Sequence, residues 1–157
     1  MQNHGKVKSV LFVCTGNSCR SQMAEGYLQK VLKERGKENI QVLSAGLAAY
    51  DGSPPTQQAI QVMKENGVDI STNLSKSVTD EMAEEIDIIF TMTGSHLTDL
   101  HRRFPATQKK VYLLREFEES YNPKDPDVFD PIGLPLHAYE SCFELMKQPI
   151  EKVAEIL

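Results

Sequence analysis

Two short apolar runs constrain this chain most. VLFV at 10–13 and IDIIFTM at 86–92 are almost unbroken in apolar residues. A strand with one wet face alternates apolar and polar side chains, whereas a continuous run is buried on both faces. After each run the period changes. Over 21–35, Met23, Tyr27 and Val31, and likewise Ala24, Leu28 and Leu32, stack at i, i+4 on a helix, and Gly36 is its natural stop. Residues 40–44 read as a second strand and 110–114 as a fourth. A helix opened by Pro54 or Pro55 runs through Ile60, Val62 and Met63 to a stop at Gly67. A short helix follows at 94–103. The last starts near Ala138, with Tyr139, Phe143, Met146, Ile150, Val153 and Leu157 on one stripe and a kink expected at Pro149. Strands alternating with helices predict one α/β domain over 1–157: a four-stranded parallel sheet flanked by helices on both faces, joined by right-handed crossovers. Residues 1–8 are expected to form a flexible tail.

Charge and cysteine usage exclude several function classes. Lysine and arginine total 17 against 22 acidic residues, a net charge of −5. Nucleic-acid and membrane-surface binders need a basic face, so neither partner is expected. No apolar stretch reaches the length of a membrane span, and the N-terminus lacks a signal peptide's apolar core. Three cysteines are too few, and odd in number, for a disulfide framework, which places the chain in a reducing cytoplasm. Cys14 and Cys19 have no second cysteine or histidine pair at zinc-like spacing. No metal or other cofactor is expected. His4, His96, His101 and His137 are scattered and read as surface or capping residues. The protein is expected to be a monomer.

The chemistry concentrates where the first strand meets the first helix, in VCTGNSCRSQ at 13–22. In parallel sheets ligands bind beyond the carboxyl ends of strands. A helix N-terminus presents unpaired N–H groups and the positive end of its dipole, so this junction favours an anion. Gly16 permits close backbone approach to a ligand, and Asn17 tolerates the left-handed conformation that turns successive N–H groups inward. Arg20 adds a planar fork matching two phosphate oxygens. Cys14 would have its thiolate stabilised by the same N–H groups and dipole, making it a nucleophile near neutral pH. Ser21 can donate a hydrogen bond to that sulfur. One loop can therefore hold a phosphate and attack it. The plain alternative is Cys14 as a small buried hydrophobe and Arg20 as a surface charge; C-x5-R-S between a buried strand and a helix argues against it. Neither G-x4-G-K-[ST] nor G-x-G-x-x-G occurs. A long aperiodic stretch, 115–137, carries Asp125, Asp127 and Asp130, each a candidate acid for a leaving group.

VCTGNSCRSQMAEG, at 13–26, resembles the phosphate loop of the low-molecular-weight protein tyrosine phosphatases, whose close relatives are bacterial protein arginine phosphatases and thioredoxin-coupled arsenate reductases. The likeness covers nearly the whole chain: SAG at 44–46, the IDIIFTM strand and VFDPIG at 128–133 follow the family's order and spacing. It implies that Cys14 is the nucleophile, Arg20 the phosphate-binding arginine, and Asp130, followed by Pro131, the general acid. Thr15, Gly16, Asn17, Ser18, Cys19 and Ser21 would line the phosphate site, and Asn17 and Ser44 would brace the loop. Asn73 stands where the family commonly has a bracing histidine, so a modified network is expected. Lys76 stands where arsenate reductases carry an acidic residue near potassium, which argues against that ion.

The resemblance implies a phosphomonoesterase that removes phosphate from protein phosphotyrosine or phosphoarginine through a phosphocysteine intermediate. Tyrosine-specific members place a bulky aliphatic residue before the second loop cysteine and aromatics after Asp-Pro. Here those positions hold Ser18 and Ile132, which leans toward phosphoarginine, while Tyr50 could form an aromatic wall. An arsenate reductase is an alternative, but its relay cysteines are missing near the end of the third strand, and Cys142 lies on the last helix. A non-catalytic phosphoprotein-binding module is a second alternative; it would need neither nucleophile nor acid. Cys19 offers a reversible disulfide with Cys14 under peroxide, or simply packs beneath the loop.

Overall fold

A computed structural model describes residues 6–157. Four strands form one parallel sheet in the order β2-β1-β3-β4: β1 Ser9–Cys14, β2 Gln41–Gly46, β3 Ile88–Thr91 and β4 Val111–Leu113. The helices are α1 Arg20–Glu34, α2 Gln57–Glu65, α3 Asp80–Glu85, α4 Gly94–Arg103 and α5 Leu136–Ile156. The expected sheet is present, with β1 one residue longer at each end, β2 shifted, and β3 and β4 trimmed by a residue or two.

Its faces follow from the two-residue period of a strand. Val10, Phe12 and Cys14 of β1 join Phe90 of β3 in a core built with α1, α2 and α5. Leu11, Val13 and Ile89 point the other way, into a smaller core with Ile86 and Leu100. Both faces are covered, which is why the central strands carry no polar alternation. Gly36 and Gly67 take φ of 72° and 79° just past α1 and α2, as expected of their stops.

Several local expectations differ from the structure. Helix α2 begins after Thr56, whose hydroxyl accepts from the Ala59 N–H, so neither proline opens it. Helix α3 was not foreseen: Thr79 caps a stretch too short to show a period. Helix α5 starts at Leu136 and continues through Pro149. Residues 6–8 of the expected tail are held: Val7 packs on the core and the Lys8 N–H donates to Asp87 Oδ2 at 2.7 Å. The rest of that tail, with His4, lies outside the described residues. Among the described residues, no helix is long and apolar enough to cross a membrane.

The strand order reverses between β1 and β3. Successive connections leave on opposite sides there, opening a crevice beyond the strand ends. Cys14 is the last residue of β1.

Candidate active site

The loop between β1 and α1 is turned inside out by its surroundings. The carbonyls of Cys14, Thr15 and Ser18 accept from the N–H groups of Leu47, Ala48 and Thr56 at 3.0, 2.8 and 3.0 Å. The Asn17 carbonyl accepts from Gln22 Nε2 at 3.3 Å. Because the peptide is planar, carbonyls drawn outward send the following N–H groups inward. Asn17 adopts φ 53°, the only positive value among the described non-glycine residues, as expected. Helix α1 has no side-chain cap, so its first N–H groups add to this concave, electropositive cradle.

The nucleophile candidate is buried and hydrogen-bonded. Cys14 Sγ lies 2.9 Å from Ser21 Oγ. The direction of that bond can be deduced. The Lys76 N–H donates to Asn17 Oδ1 at 3.0 Å, which fixes the amide orientation. Asn17 Nδ2 then donates to both Ser21 Oγ at 2.8 Å and Ser44 Oγ at 2.9 Å. Ser21 keeps its hydrogen for the sulfur, where it stabilises a thiolate. Ser44 passes its own hydrogen to Glu25 Oε1 at 2.7 Å. Asn73 Nδ2 donates to Gln22 Oε1 at 3.0 Å and to Glu25 Oε2 at 3.3 Å. The bracing network expected of Asn17, Ser44 and Asn73 is thus joined through Glu25, which the sequence reading missed. Burial holds the Glu25 carboxyl above its ordinary range. Its position one turn after Ser21 on the same helix face was a usable signal.

The three rival acids separate cleanly. Asp130 Oδ2 lies 3.5 Å from Arg20 Nη2, and its Oδ1 accepts from the Ile132 N–H at 3.1 Å, with the Cys19 thiol at 3.8 Å. Asp127 instead accepts from the Gly94 N–H at 2.9 Å at the start of α4. Asp125 pairs with Arg115 at 3.4 Å. Buried Arg115 also donates to the Asp127 carbonyl at 2.7 Å, so the other two acids fasten the loop that carries Asp130. Arg20 is 4% exposed and donates to the Val128 carbonyl at 3.0 Å, while its Nε has no partner among the described residues. This unmet donor lies in the phosphate loop itself.

Cys19 is buried beneath the loop, and burial, with the Cys14 charge next, pushes its thiol up to about 12. Cys142 is fully buried on α5, as expected, with its thiol 3.5 Å from the Phe129 carbonyl. Tyr50 is 86% exposed and Ile132 55%. Among the described residues, no side-chain hydrogen bond engages Ser18. Two further residues shape the site without having been foreseen. A Cβ on Gly46 would sit 2.5 Å from the Thr15 carbonyl oxygen, so only glycine lets β2 pass this close beneath the loop. His96, expected as a surface or capping residue, is instead buried, with Nε2 2.8 Å from Thr15 Oγ1.

A thiol at a strand end, an anion cradle and a carboxylic acid facing its arginine are the parts of a cysteine-dependent phosphatase. Residues 9–157 match the family described as low molecular weight phosphotyrosine protein phosphatase. The chain belongs to that family. As a low molecular weight phosphatase it removes phosphate from protein tyrosine or arginine. It is 32% identical over 145 residues, 92% of each chain, to the probable low molecular weight protein-tyrosine-phosphatase EpsP of Ralstonia nicotianae. It is also 32% identical over 148 residues, 94% of this chain and 95% of the relative, to the protein-arginine-phosphatase of Geobacillus stearothermophilus. The solved low molecular weight protein tyrosine phosphatase from T. tengcongensis superimposes with a TM-score of 0.87 at 38% identity, covering 95% of this chain and 99% of that one.

Proposed function

We propose that Cys14 is the nucleophile, Arg20 the phosphate-binding residue and Asp130 the general acid and base, with phosphoarginine in proteins preferred over phosphotyrosine. The observation that carries the catalytic assignment is the contact of Asp130 with Arg20 across the loop that Cys14 opens. The Cys14 thiolate attacks phosphorus, an S–P bond forms, and the P–N or P–O bond to the substrate breaks. Asp130 gives its proton to the departing nitrogen or oxygen. It then takes a proton from water as the water attacks the phosphocysteine, releasing inorganic phosphate and the thiolate. The inward N–H groups and Arg20 hold the three equatorial oxygens in both steps. The Ser21 hydroxyl stabilises sulfur as it leaves. No metal is called for in this sequence of steps.

The phosphoarginine preference rests on Ser18 and Ile132. A small hydroxyl residue leaves room and a hydrogen-bonding group for a guanidinium, and no aromatic ring follows Asp130-Pro131 to stack on a phenyl group. Tyr50 supports the phosphotyrosine reading through its ring, yet that ring stands mostly in solvent. The free, buried cysteines favour a reducing cytoplasm, and the acidic balance disfavours nucleic acid and membrane surfaces.

Matched phosphoarginine and phosphotyrosine peptides, compared by kcat/KM without added metal, test the preference. A higher value for phosphoarginine is expected; a phosphotyrosine preference would assign the pocket wall to Tyr50. Cys14→Ser is expected to abolish turnover, and Asp130→Asn to lower kcat by roughly 10² to 10⁴, most on poor leaving groups. An unchanged rate in either variant refutes that residue's role.

A further inference from the structure

His96 is the third residue of α4, immediately beyond the sheet. A surface or capping role does not explain its surroundings. It is 8% exposed, its Nε2 meets Thr15 Oγ1 at 2.8 Å, and its Nδ1 is buried with no partner among the described residues. Arg20 from α1, Asp99 from its own helix, and Asp127 and Asp130 from the acid loop are the charged groups that face it. Burial first, and the Arg20 charge second, hold the imidazole down to about 4. Neutral at working pH, it can bond Thr15 without placing a second cation beside Arg20 or at the positive end of α4.

The same helical turn grips the other half of the site. The Gly94 N–H donates to Asp127 at 2.9 Å, and the Val128 N–H donates to the Met92 carbonyl at 2.8 Å. Two residues apart on one rigid turn, Gly94 thus fixes the acid loop and His96 fixes the phosphate loop. Thr15 follows the nucleophile directly, so holding its side chain fixes the peptide that leads from Cys14 into the cradle.

We propose that His96 is a positioning residue of the phosphatase: by holding the Thr15 hydroxyl it registers the phosphate loop against the acid loop on the first turn of α4. It touches neither substrate nor sulfur and acts through Thr15. The inference rests on the catalytic assignment above.

Four proteins separate the possibilities: His96→Ala, His96→Gln, Thr15→Val and the double variant His96→Ala with Thr15→Val. Glutamine reaches the position of Nε2 and can still bond the hydroxyl. His96→Ala and Thr15→Val are each expected to lower kcat/KM roughly tenfold, about what one hydrogen bond and a small misplacement of a loop are worth. The double variant is expected to be no worse than either single one, because both remove the same contact. His96→Gln is expected to restore most of the rate. The loss should be equal on aryl phosphates with good and poor leaving groups, because it is the cradle that shifts; a lost acid would hurt poor leaving groups more. Additive losses, no rescue by glutamine, or a lower Tm with an unchanged rate per folded molecule would overturn the proposal. If His96→Ala does not fold, Thr15→Val and His96→Gln still decide: an unchanged rate in the first, or a full loss in the second, overturns it. Wild-type protein without turnover would instead overturn the catalytic assignment itself.

Discussion

Gly46→Ala probes the site through a residue that touches no substrate. The added Cβ would lie 2.5 Å from the Thr15 carbonyl oxygen, and 3.0 Å from both the Asn17 nitrogen and the Ala49 Cβ. Real Cβ atoms essentially never come within 3.0 Å. Thr15 or β2 must therefore move by at least 3.0 − 2.5 = 0.5 Å. The atoms in the way are backbone, and they are held: the Thr15 carbonyl accepts from Ala48 at 2.8 Å, and Gly46 pairs in register with Cys14. Overpacking of this kind costs about 1–3 kcal/mol. In a domain of this size that is a fall in Tm of roughly 3–10 °C. A 1 Å misplacement of catalytic groups costs about a hundredfold, so a shift of half that size is expected to lower kcat/KM by roughly tenfold. The assay is turnover of a chromogenic aryl phosphate per folded molecule, with Tm measured alongside. Gly26→Ala is the control. Its Cβ would meet the Val68 and Ile70 methyls at 2.8 and 2.9 Å and no loop backbone, so it should lower Tm and affect kcat/KM less than Gly46→Ala does. Wild-type kcat/KM in Gly46→Ala would refute the close packing of β2 against the loop as the source of its geometry.

Two further outcomes follow from buried charges. Arg115→Met keeps the side-chain length but removes the cation that holds the Asp127 carbonyl, Asp125 and Glu118; kcat on poor leaving groups should fall about tenfold and stability by about 1–3 kcal/mol, while iodoacetate should alkylate Cys14 at the wild-type rate. An unchanged kcat would show that the acid loop needs no such anchor. For Glu25 the folded carboxyl titrates above its unfolded value, chiefly through burial. The unfolded chain therefore ionises first as pH rises, and folding stability is lost between the unfolded and folded values. The Tm of Glu25→Gln minus that of wild type should be more positive at pH 8 than at pH 4, and an equal difference at both would contradict it.

The legible part of this protein was the local part. Continuous apolar runs fixed which strands are central, because a strand covered on both faces has no polar side to show. The i, i+4 stripe of α1 and the glycine after it were equally plain. Helix α3 escaped because six residues between a Thr cap and a strand carry no measurable period. Thr56 displaced the two prolines as the start of α2, since a hydroxyl that accepts from an N–H caps better than a ring that only fixes φ.

The sequence by itself determined which residues make up the core of the candidate site. Cys14, Arg20 and Ser21 lie within one strand–loop–helix segment, where chain connectivity brings them together, while bonds from Leu47, Ala48 and Thr56 turn the loop's N–H groups inward. The tertiary structure decided what surrounds them. Asp125, Asp127 and Asp130 are interchangeable in a loop without a period; only packing turns Asp130 toward Arg20, 110 positions away, and spends the other two as anchors. His96 meets Thr15 across 81 positions because β3 lies beside β1. Glu25 closes the brace between Asn73 and Ser44 because β2 lies beside β1 and brings Ser44 to the helix. Such pairings depend on which strand lies next to which and at what register, and no local propensity encodes that.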